Sequence, residues 1–384
     1  MQFIDLKAQQ ARISDKIEGA IAAVLEHGSF IMGPEVGRLE RELAAFSRAS
    51  HCISCANGTE AIALVLMAWG IRPNDAIFCP SFTFSATAET IPWLGAKPVF
   101  VDVHPETYNI DVDHLEVTIA AVRDEGKLTP RAIVAVDLFG QAANYVRLRE
   151  IADRYSLKLI ADSAQGFGTT INGRHPSDWA DATTTSFFPA KPLGCYGDGG
   201  AVLTNDAELA EVAESLRVHG KATESDIMRT NFTHDPKYLN TRIGMNSRLD
   251  TIQAAILLEK LAIFPDEIER RNAVAARYRE ALAGKVSEVP IVPEGVISTW
   301  AQYTIQHANR DGLQAHLRDA GIPSTVYYPV PIHKNLAYEQ FPQGQGGLPV
   351  TEMLAQRVLS LPMHPYLSGK DQDRVISSVL KFSG

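Results

Sequence analysis

The chain has no long apolar run, few cysteines and no excess of positive charge. None of its 384 residues falls in a stretch that approaches the roughly 18 uninterrupted apolar residues of a membrane helix. Its 36 Lys and Arg against 45 Asp and Glu give a net charge of −9, which argues against a nucleic-acid-binding surface. The first residues lack the basic start and apolar core of a signal peptide. These absences predict a cytoplasmic protein with neither a membrane nor a nucleic acid as partner.

The four cysteines do not form a metal-binding pattern. Cys52 and Cys55 have the spacing of a metal-ligand pair, but the sequence contains no second pair. The segment around them also has the composition of a strand, in which positions three apart face opposite sides. Reduced, buried thiols are therefore expected, and no metal site is predicted.

From residue 51 onwards, short apolar runs alternate with helical patterns. Runs such as Ala76–Cys79 and Leu157–Ala161 are typical of strands buried on both faces. The alternation predicts an α/β fold with a mostly parallel central sheet covered by helices, after a largely helical segment over the first 50 residues. In such sheets ligands bind beyond the carboxyl ends of the strands.

The pattern changes near Pro265. We expect this proline to separate two consecutive helices, Ser247–Phe264 and Asp266–Ala283. Beyond them the elements indicate a smaller α+β unit. We therefore predict a large domain of residues 1–265 and a smaller C-terminal domain of residues 266–384.

Asn57-Gly58-Thr59 ends one predicted strand and begins a helix. Gly58 permits close approach of the backbone, Thr59 adds a hydroxyl, and the helix start adds free N–H groups, which together suit a phosphate. Ser186, at the end of another strand, could donate to the same phosphate. An ordinary helix cap is the alternative interpretation.

Asp162 follows an apolar strand, where a carboxylate needs a partner such as a protonated pyridine nitrogen. A flat ring could lie against the small Ala164, and the Gln165 amide could reach a phenolic oxygen of that ring. Phe84, after another strand, could stack on the opposite face. A helix-capping Asp and a core Phe are the alternatives.

Lys191 lies in the run Ser186-Phe-Phe-Pro-Ala-Lys-Pro-Leu-Gly194. A lysine on a rigid turn just past a strand end is placed to form an imine with an aldehyde, if burial or a neighbouring cation lowers its pKa. Alone it would be interpreted as a surface lysine. Together with the phosphate cradle, the stacking ring and the acid at other strand ends, it predicts a pyridoxal phosphate site.

The chain resembles the DegT/DnrJ/EryC1/StrS family of sugar aminotransferases over essentially its whole length. The resemblance rests on several motifs in the family's order: Phe3-Ile-Asp-Leu6, Gly33-Pro-Glu-Val36, Ala56-Asn-Gly-Thr59, Asp162-Ser-Ala-Gln165, Ser186-Phe-Phe-Pro-Ala-Lys191, Gly197-Asp-Gly-Gly-Ala201, Gly244-Met-Asn-Ser-Arg-Leu-Asp250 and Tyr327-Tyr-Pro329. It implies the fold of the pyridoxal-phosphate-dependent, aspartate-aminotransferase-like enzymes.

By this resemblance Lys191 would form the imine with the cofactor, Asp162 would pair with the ring nitrogen, and Gln165 would reach the ring hydroxyl. Phe84 would stack on the ring, and the cofactor would pass through pyridoxamine phosphate. Some relatives are dehydratases that carry His in place of the lysine, so Lys191 favours transamination.

The resemblance also implies a homodimer with shared active sites. Gly58, Thr59 and Ser186 would hold the phosphate, and Asn246 would reach it from the neighbouring subunit. A non-catalytic regulatory role, once proposed for some relatives, is disfavoured by the intact lysine, acid and phosphate cradle.

The substrate implied is a nucleotide-linked keto-sugar. Several segments are especially similar to the branch that aminates UDP-2-acetamido-2-deoxy-3-oxo-glucuronate, with glutamate as donor, for O-antigen or related polysaccharides. Another UDP- or dTDP-linked 3- or 4-keto-sugar is the alternative, since the segment Lys221–Arg242 is longer than in that branch and Tyr327 stands where it can have His. The candidates for substrate contacts are Arg248, Tyr327, Tyr328 and His333, with surface or interface structure as their alternative role.

Overall fold

A seven-stranded sheet forms the centre of the molecule, in the strand order β1-β8-β7-β5-β4-β2-β3. The structure is a computed structural model, which describes residues 1–230, 235, 238–286 and 288–382. The strands are β1 (His51–Cys55), β2 (Asp75–Pro80), β3 (Lys97–Val101), β4 (Thr129–Val136), β5 (Lys158–Asp162), β6 (Thr170–Ile171), β7 (Ala182–Ser186), β8 (Gly200–Thr204), β9 (Val296–Ile297), β10 (Tyr303–Gln306) and β11 (Val358–Leu361).

Helices cover both faces of this sheet. The helices of the described residues are α1 (Leu6–Arg12), α2 (Ser14–His27), α3 (Pro34–Ser47), α4 (Gly58–Ala68), α5 (Ala86–Trp93), α6 (Val112–Glu125), α7 (Tyr145–Tyr155), α8 (Ala207–Leu216), α9 (Glu224–Thr230), α10 (Thr251–Leu282), α11 (Arg310–Asp319), α12 (Pro349–Arg357) and α13 (Gly369–Lys381). The segment Lys221–Arg242, which the resemblance identifies as longer than in related enzymes, is described only in part, because residues 231–234, 236 and 237 lie outside the described residues.

The strand β2 shows why the sheet is covered on both sides. Ile77 and Cys79 pack into the apolar cluster on one face, whereas Ala76 and Phe78 pack into the cluster on the other. Successive side chains of a strand point to opposite faces, so a continuous apolar run needs cover on both. The predicted α/β class is confirmed.

Parallel pairing brings several strand ends to one edge of the sheet. Strands β3, β2, β4, β5 and β7 pair in parallel in that spatial order, and β8 lies antiparallel between β7 and β1. The strand β1 therefore runs in the same direction as β7. The carboxyl ends of these strands, and the residues that follow them, lie together as the sequence predicts.

The predicted helix break at Pro265 is wrong, because α10 runs unbroken from Thr251 to Leu282. A proline inside a helix removes one N–H donor and crowds the preceding turn. Leu261 and Phe264 before the proline and Ile268 after it are all buried in the same apolar cluster, which stabilises the helix through this point. The domain boundary at residue 265 stays a prediction, and a single helix spans it.

A smaller antiparallel pair, β10 and β11, lies beyond this helix. The second half of α10 packs against it through Tyr278, whose ring centroid is 5.0 Å from that of Tyr303. No helix of the described residues is long and apolar enough to cross a membrane.

Candidate active site

A cavity of about 530 Å³ lies at the carboxyl edge of the sheet. Most of the residues that the sequence singled out line it together: Gly58, Thr59, Phe84, Asp162, Ala164, Gln165, Ser186, Lys191, Tyr327 and Tyr328. They come from distant parts of the chain, and all but Tyr327 and Tyr328 meet because the strands they follow run in the same direction.

At one end of the cavity three backbone segments approach each other closely, namely the start of α4, the end of β7 and the start of β8. Helix α4 begins at Gly58, and its cap Asn57 accepts a 2.8 Å hydrogen bond from the Glu60 N–H. A Cβ on Gly58 would lie 2.7 Å from the Ser186 Cβ, and one on Gly200 would lie 2.4 Å from the Asn57 carbonyl carbon. Only glycine fits at either point, so the amides of the first turn and the Ser186 hydroxyl face one small space.

Asp162 ends β5 and is 5% exposed. Its Oδ2 accepts a 2.8 Å hydrogen bond from the Thr87 hydroxyl, and its Oδ1 accepts one of 3.2 Å from the Ala164 N–H. Burial raises the pKa of Asp162, whereas these two hydrogen bonds and the Lys191 charge lower it. A cationic ligand group beside the carboxylate would offset the cost of its burial.

Lys191 is half-buried on the turn after β7, where its N–H donates a 2.9 Å hydrogen bond to the Phe188 carbonyl. Burial lowers the pKa of the Lys191 amine, and the Asp162 carboxylate raises it. Burial dominates, so a larger fraction of the amine is neutral and nucleophilic near neutral pH than for an exposed lysine.

Gln165 contacts protein groups at both ends of its amide. Its Oε1 accepts a 2.9 Å hydrogen bond from the Phe139 N–H, and its Nε2 donates one of 3.0 Å to the Tyr328 hydroxyl. Phe84, at the mouth of the cavity, is 55% exposed and leaves its ring face open.

Three predicted residues lie outside the cavity. Asn246 is exposed and Arg248 half-buried, and neither lines the cavity of its own chain. His333 is 2% exposed, and its Nδ1 lies 2.7 Å from the Ser81 hydroxyl and its Nε2 lies 3.3 Å from Glu352. Its ring therefore contacts protein rather than the cavity.

Two residues that sequence reasoning missed belong to the site. Thr87 bonds Asp162, and Gln302 lines the cavity with a buried Oε1 that has no hydrogen-bond partner among the described residues. Thr87 follows a strand end, a signal that could have identified it. Gln302 carries no comparable signal, because it enters the site from the C-terminal region.

The residues present fit pyridoxal phosphate. The space between Gly58 and Ser186 suits a phosphate at a helix start, Asp162 offers a buried carboxylate to a ring nitrogen, and Lys191 offers an amine to the aldehyde. These three groups line one cavity, as the cofactor requires.

Comparisons with known proteins agree with this geometry. The chain is 47% identical to UDP-2-acetamido-2-deoxy-3-oxo-D-glucuronate aminotransferase of Pseudomonas aeruginosa, over 369 residues and 96% of each chain. A solved DegT/DnrJ/EryC1/StrS aminotransferase from Brucella abortus has a TM-score of 0.95 at 52% identity, with 100% of both chains covered. The structure of NtdA from Bacillus subtilis with bound cofactor PMP has a TM-score of 0.84 at 30% identity, covering 99% of this chain and 84% of that one.

The predicted family, fold and cofactor are thereby confirmed. Residues 11–380 match the DegT/DnrJ/EryC1/StrS aminotransferase family along nearly the whole chain. This chain belongs to that family.

Proposed function

We propose that the protein transfers an amino group from glutamate to UDP-2-acetamido-2-deoxy-3-oxo-glucuronate, in the synthesis of a cell-surface polysaccharide such as O-antigen. The observation that carries the reaction type is Lys191 in one cavity with the buried Asp162 and the Gly58–Ser186 cradle. The choice of sugar is supported by 47% identity to the aminotransferase named for it. We also propose that the protein is cytoplasmic, as the sequence predicts.

The cavity residues would divide the binding of the cofactor between them. The first turn of α4, with Gly58, Thr59 and Ser186, would hold the phosphate, and Asp162 would hold the ring nitrogen. The ring would lie between Phe84 and Ala164. When bound, pyridoxal phosphate supplies an aldehyde for covalent attachment and a cationic ring that stabilises negative charge on the reacting carbon.

Lys191 would act twice. Its Nζ would hold the cofactor covalently until the donor amino acid takes its place. The free Nζ would then accept the proton from the donor's α-carbon as a general base and pass it to the cofactor as a general acid. In the second half-reaction it would move a proton the opposite way, from the cofactor to the sugar carbon that receives the amino group. Its lowered pKa suits this role, because a larger fraction of the amine is neutral and able to accept a proton than for an exposed lysine.

A homodimer with shared active sites is part of the same proposal. Among the described residues, Lys191 is the one basic side chain that lines the cavity, although a UDP-sugar acid carries several negative charges. Asn246 and Arg248 lie outside the cavity of their own chain, and the Arg248 Nε is buried without a hydrogen-bond partner among the described residues. A second copy would supply such donors in trans, with Tyr327 and Tyr328 contacting the sugar from the same chain.

The absorption spectrum of the purified protein tests the reaction type. The wild type with added pyridoxal phosphate should absorb in the near-ultraviolet to visible range and lose that band when glutamate is added. Lys191→Ala should lack the band of the lysine-linked cofactor, whereas Lys16→Ala, an exposed lysine on α2, should keep it. A wild type that stays colourless with the cofactor would refute the proposal.

The sugar is tested separately. Enzyme loaded with glutamate and freed of the oxo-acid should recover its original spectrum with UDP-2-acetamido-2-deoxy-3-oxo-glucuronate, and faster than with a dTDP-linked 3- or 4-keto-sugar. Recovery with the dTDP-sugars alone would reject the proposed sugar and leave the reaction type standing.

A further inference from the structure

A fully buried lysine packs against the turn that carries Lys191. Lys260, on α10, is 1% exposed, and its Nζ donates a 2.6 Å hydrogen bond to the Gly194 carbonyl. The same Nζ lies 4.5 Å from the centroid of the Tyr196 ring, within the range of a cation–π contact. An ammonium is rarely buried to this extent without a structural or functional reason.

Both contacts are to the lysine loop, defined here as residues 187–199 between β7 and β8. Hydrogen bonds within the loop join its two ends. The Phe187 carbonyl accepts a 2.8 Å hydrogen bond from the Cys195 N–H and one of 3.1 Å from the Cys195 thiol. The Phe187 N–H donates a 2.7 Å hydrogen bond to the Gly199 carbonyl. A Cβ on Gly194 would lie 2.6 Å from the carbonyl oxygens of Phe188 and Pro189. Gly194 therefore packs closely against the backbone of the residues that precede Lys191.

Helix α10 holds this loop at two points on one face. Gln253 accepts a 2.8 Å hydrogen bond from the Tyr196 N–H through its Oε1, and Lys260 bonds Gly194 seven residues further along the helix. Residues seven apart lie on the same side of an α-helix. The lysine loop is thus held by two polar side chains of one rigid element.

We propose that Lys260 is a positioning residue, which places Lys191 for proton transfer by holding the lysine loop through Gly194 and Tyr196. The proposal rests on the proposed function of Lys191. The cofactor's phosphate and ring nitrogen would be held by other elements, at Gly58 and Asp162, so cofactor affinity should depend less on the loop than the position of the Lys191 amine does.

The charge on Lys260 changes in the mildly alkaline range, because its pKa is lowered to about 8. Burial lowers the pKa of Lys260 to about 8, against the opposing effect of Glu267 and Cys195. The titratable groups that face it are Glu267 on the same helix and Cys195 and Tyr196 in the loop. Above this pKa the amine is neutral, so the cation–π contact is lost and the hydrogen bond to Gly194 weakens.

The test compares Lys260→Met, Lys260→Arg and Leu313→Ala, each loaded with pyridoxal phosphate. Met has nearly the same length without a donor or charge, and Arg keeps both. Leu313, fully buried in α11 away from the cavity, provides a control for general loss of stability. The readouts are the cofactor dissociation constant, the single-turnover rate with saturating glutamate across pH 6.5–9.5, and the thermal midpoint of the cofactor-free protein.

We expect Lys260→Met to slow the single turnover at least roughly tenfold, since small misplacements of a catalytic group are costly, and to change the cofactor dissociation constant less than roughly threefold. Leu313→Ala should lower the thermal midpoint and leave the rate nearly unchanged. Lys260→Arg should recover most of the rate. We also expect the wild-type rate to fall as the pH rises through about 8, where Lys260 loses its charge, and this fall should be absent in both Lys260 variants.

Equal rates in wild type and Lys260→Met, or an unchanged pH profile in both Lys260 variants, would overturn the proposal. Failure of the proposed function itself would look different, because the wild type would then form no lysine-linked cofactor at all.

Discussion

The Thr87 hydroxyl donates a 2.8 Å hydrogen bond to Asp162 Oδ2, and both side chains are at most 5% exposed. Thr87 lies in the first turn of α5, the helix that follows β2, and Asp162 lies at the end of β5. In the sheet, β4 separates β2 from β5. The bond lowers the pKa of Asp162 against the larger effect of burial and orients one oxygen, while the other accepts from the Ala164 N–H. A buried carboxylate held in this way is prepared to receive a protonated ring nitrogen.

Thr87→Val should therefore weaken cofactor binding. Burial already raises the pKa of Asp162, and removing the hydroxyl raises it further, so binding should be lost at a higher pH as the solution is acidified. A hydrogen bond to a charged group contributes about 1.5–3 kcal/mol, which corresponds to tenfold or more in the dissociation constant. Spectroscopic titration with pyridoxal phosphate at several pH values measures this, and Thr87→Ser should retain near wild-type binding.

Asp162→Asn should change the reactivity of Lys191 in the cofactor-free protein. The Asp162 charge raises the pKa of Lys191 against the larger effect of burial, so an uncharged amide should let that pKa fall further. The pH at which the Lys191 amine becomes reactive should move down. Mass spectrometry after reductive methylation across a pH series would follow this residue alone, and an upward movement would contradict the assigned electrostatics.

Gly58→Ala should abolish the proposed phosphate site while the protein still folds. The added Cβ would lie 2.7 Å from the Ser186 Cβ, so the start of α4 and the end of β7 must separate. Gly19→Ala is the matched control, because a Cβ at Gly19 in α2 meets nothing within 4 Å. We expect loss of cofactor binding by Gly58→Ala alone, with far-ultraviolet circular dichroism close to wild type in both variants.

Ser81→Ala should act on stability first. The Ser81 hydroxyl accepts a 3.0 Å hydrogen bond from the His333 N–H and lies 2.7 Å from its Nδ1, so its loss leaves buried polar atoms of His333 unpaired. The free energy of unfolding should fall by about 1–3 kcal/mol, measured by chemical denaturation. Glu352→Gln, at the more exposed side of His333, should cost less.

A direct substrate role for His333 would show itself differently. His333→Asn would then raise the KM for the nucleotide-sugar severalfold with little effect on unfolding. The contacts of His333 with Ser81 and Glu352 favour the opposite result, a loss of stability with a smaller change in KM.

The sheet was predictable because its signals are local. The apolar run of β2 and the glycine and cap at Asn57-Gly58 specify a strand and a helix start from a few neighbouring residues. The helix break at Pro265 was mispredicted because the contacts that decide it are not local. A proline has a fixed local cost, but burial of Phe264 and Ile268 by distant segments outweighs it.

By itself the sequence determined which chemical groups this protein carries and at which strand ends they fall: the amine of Lys191, the carboxylate of Asp162 and the proposed phosphate cradle at Gly58. Only the tertiary structure decided what supports them. The hydrogen bond from Thr87 to Asp162 joins residues 75 positions apart, and the one from Lys260 to Gly194 joins residues 66 positions apart. Such pairs leave no mark on local composition or periodicity, because their energy arises from burial and contact that exist only once the chain has folded.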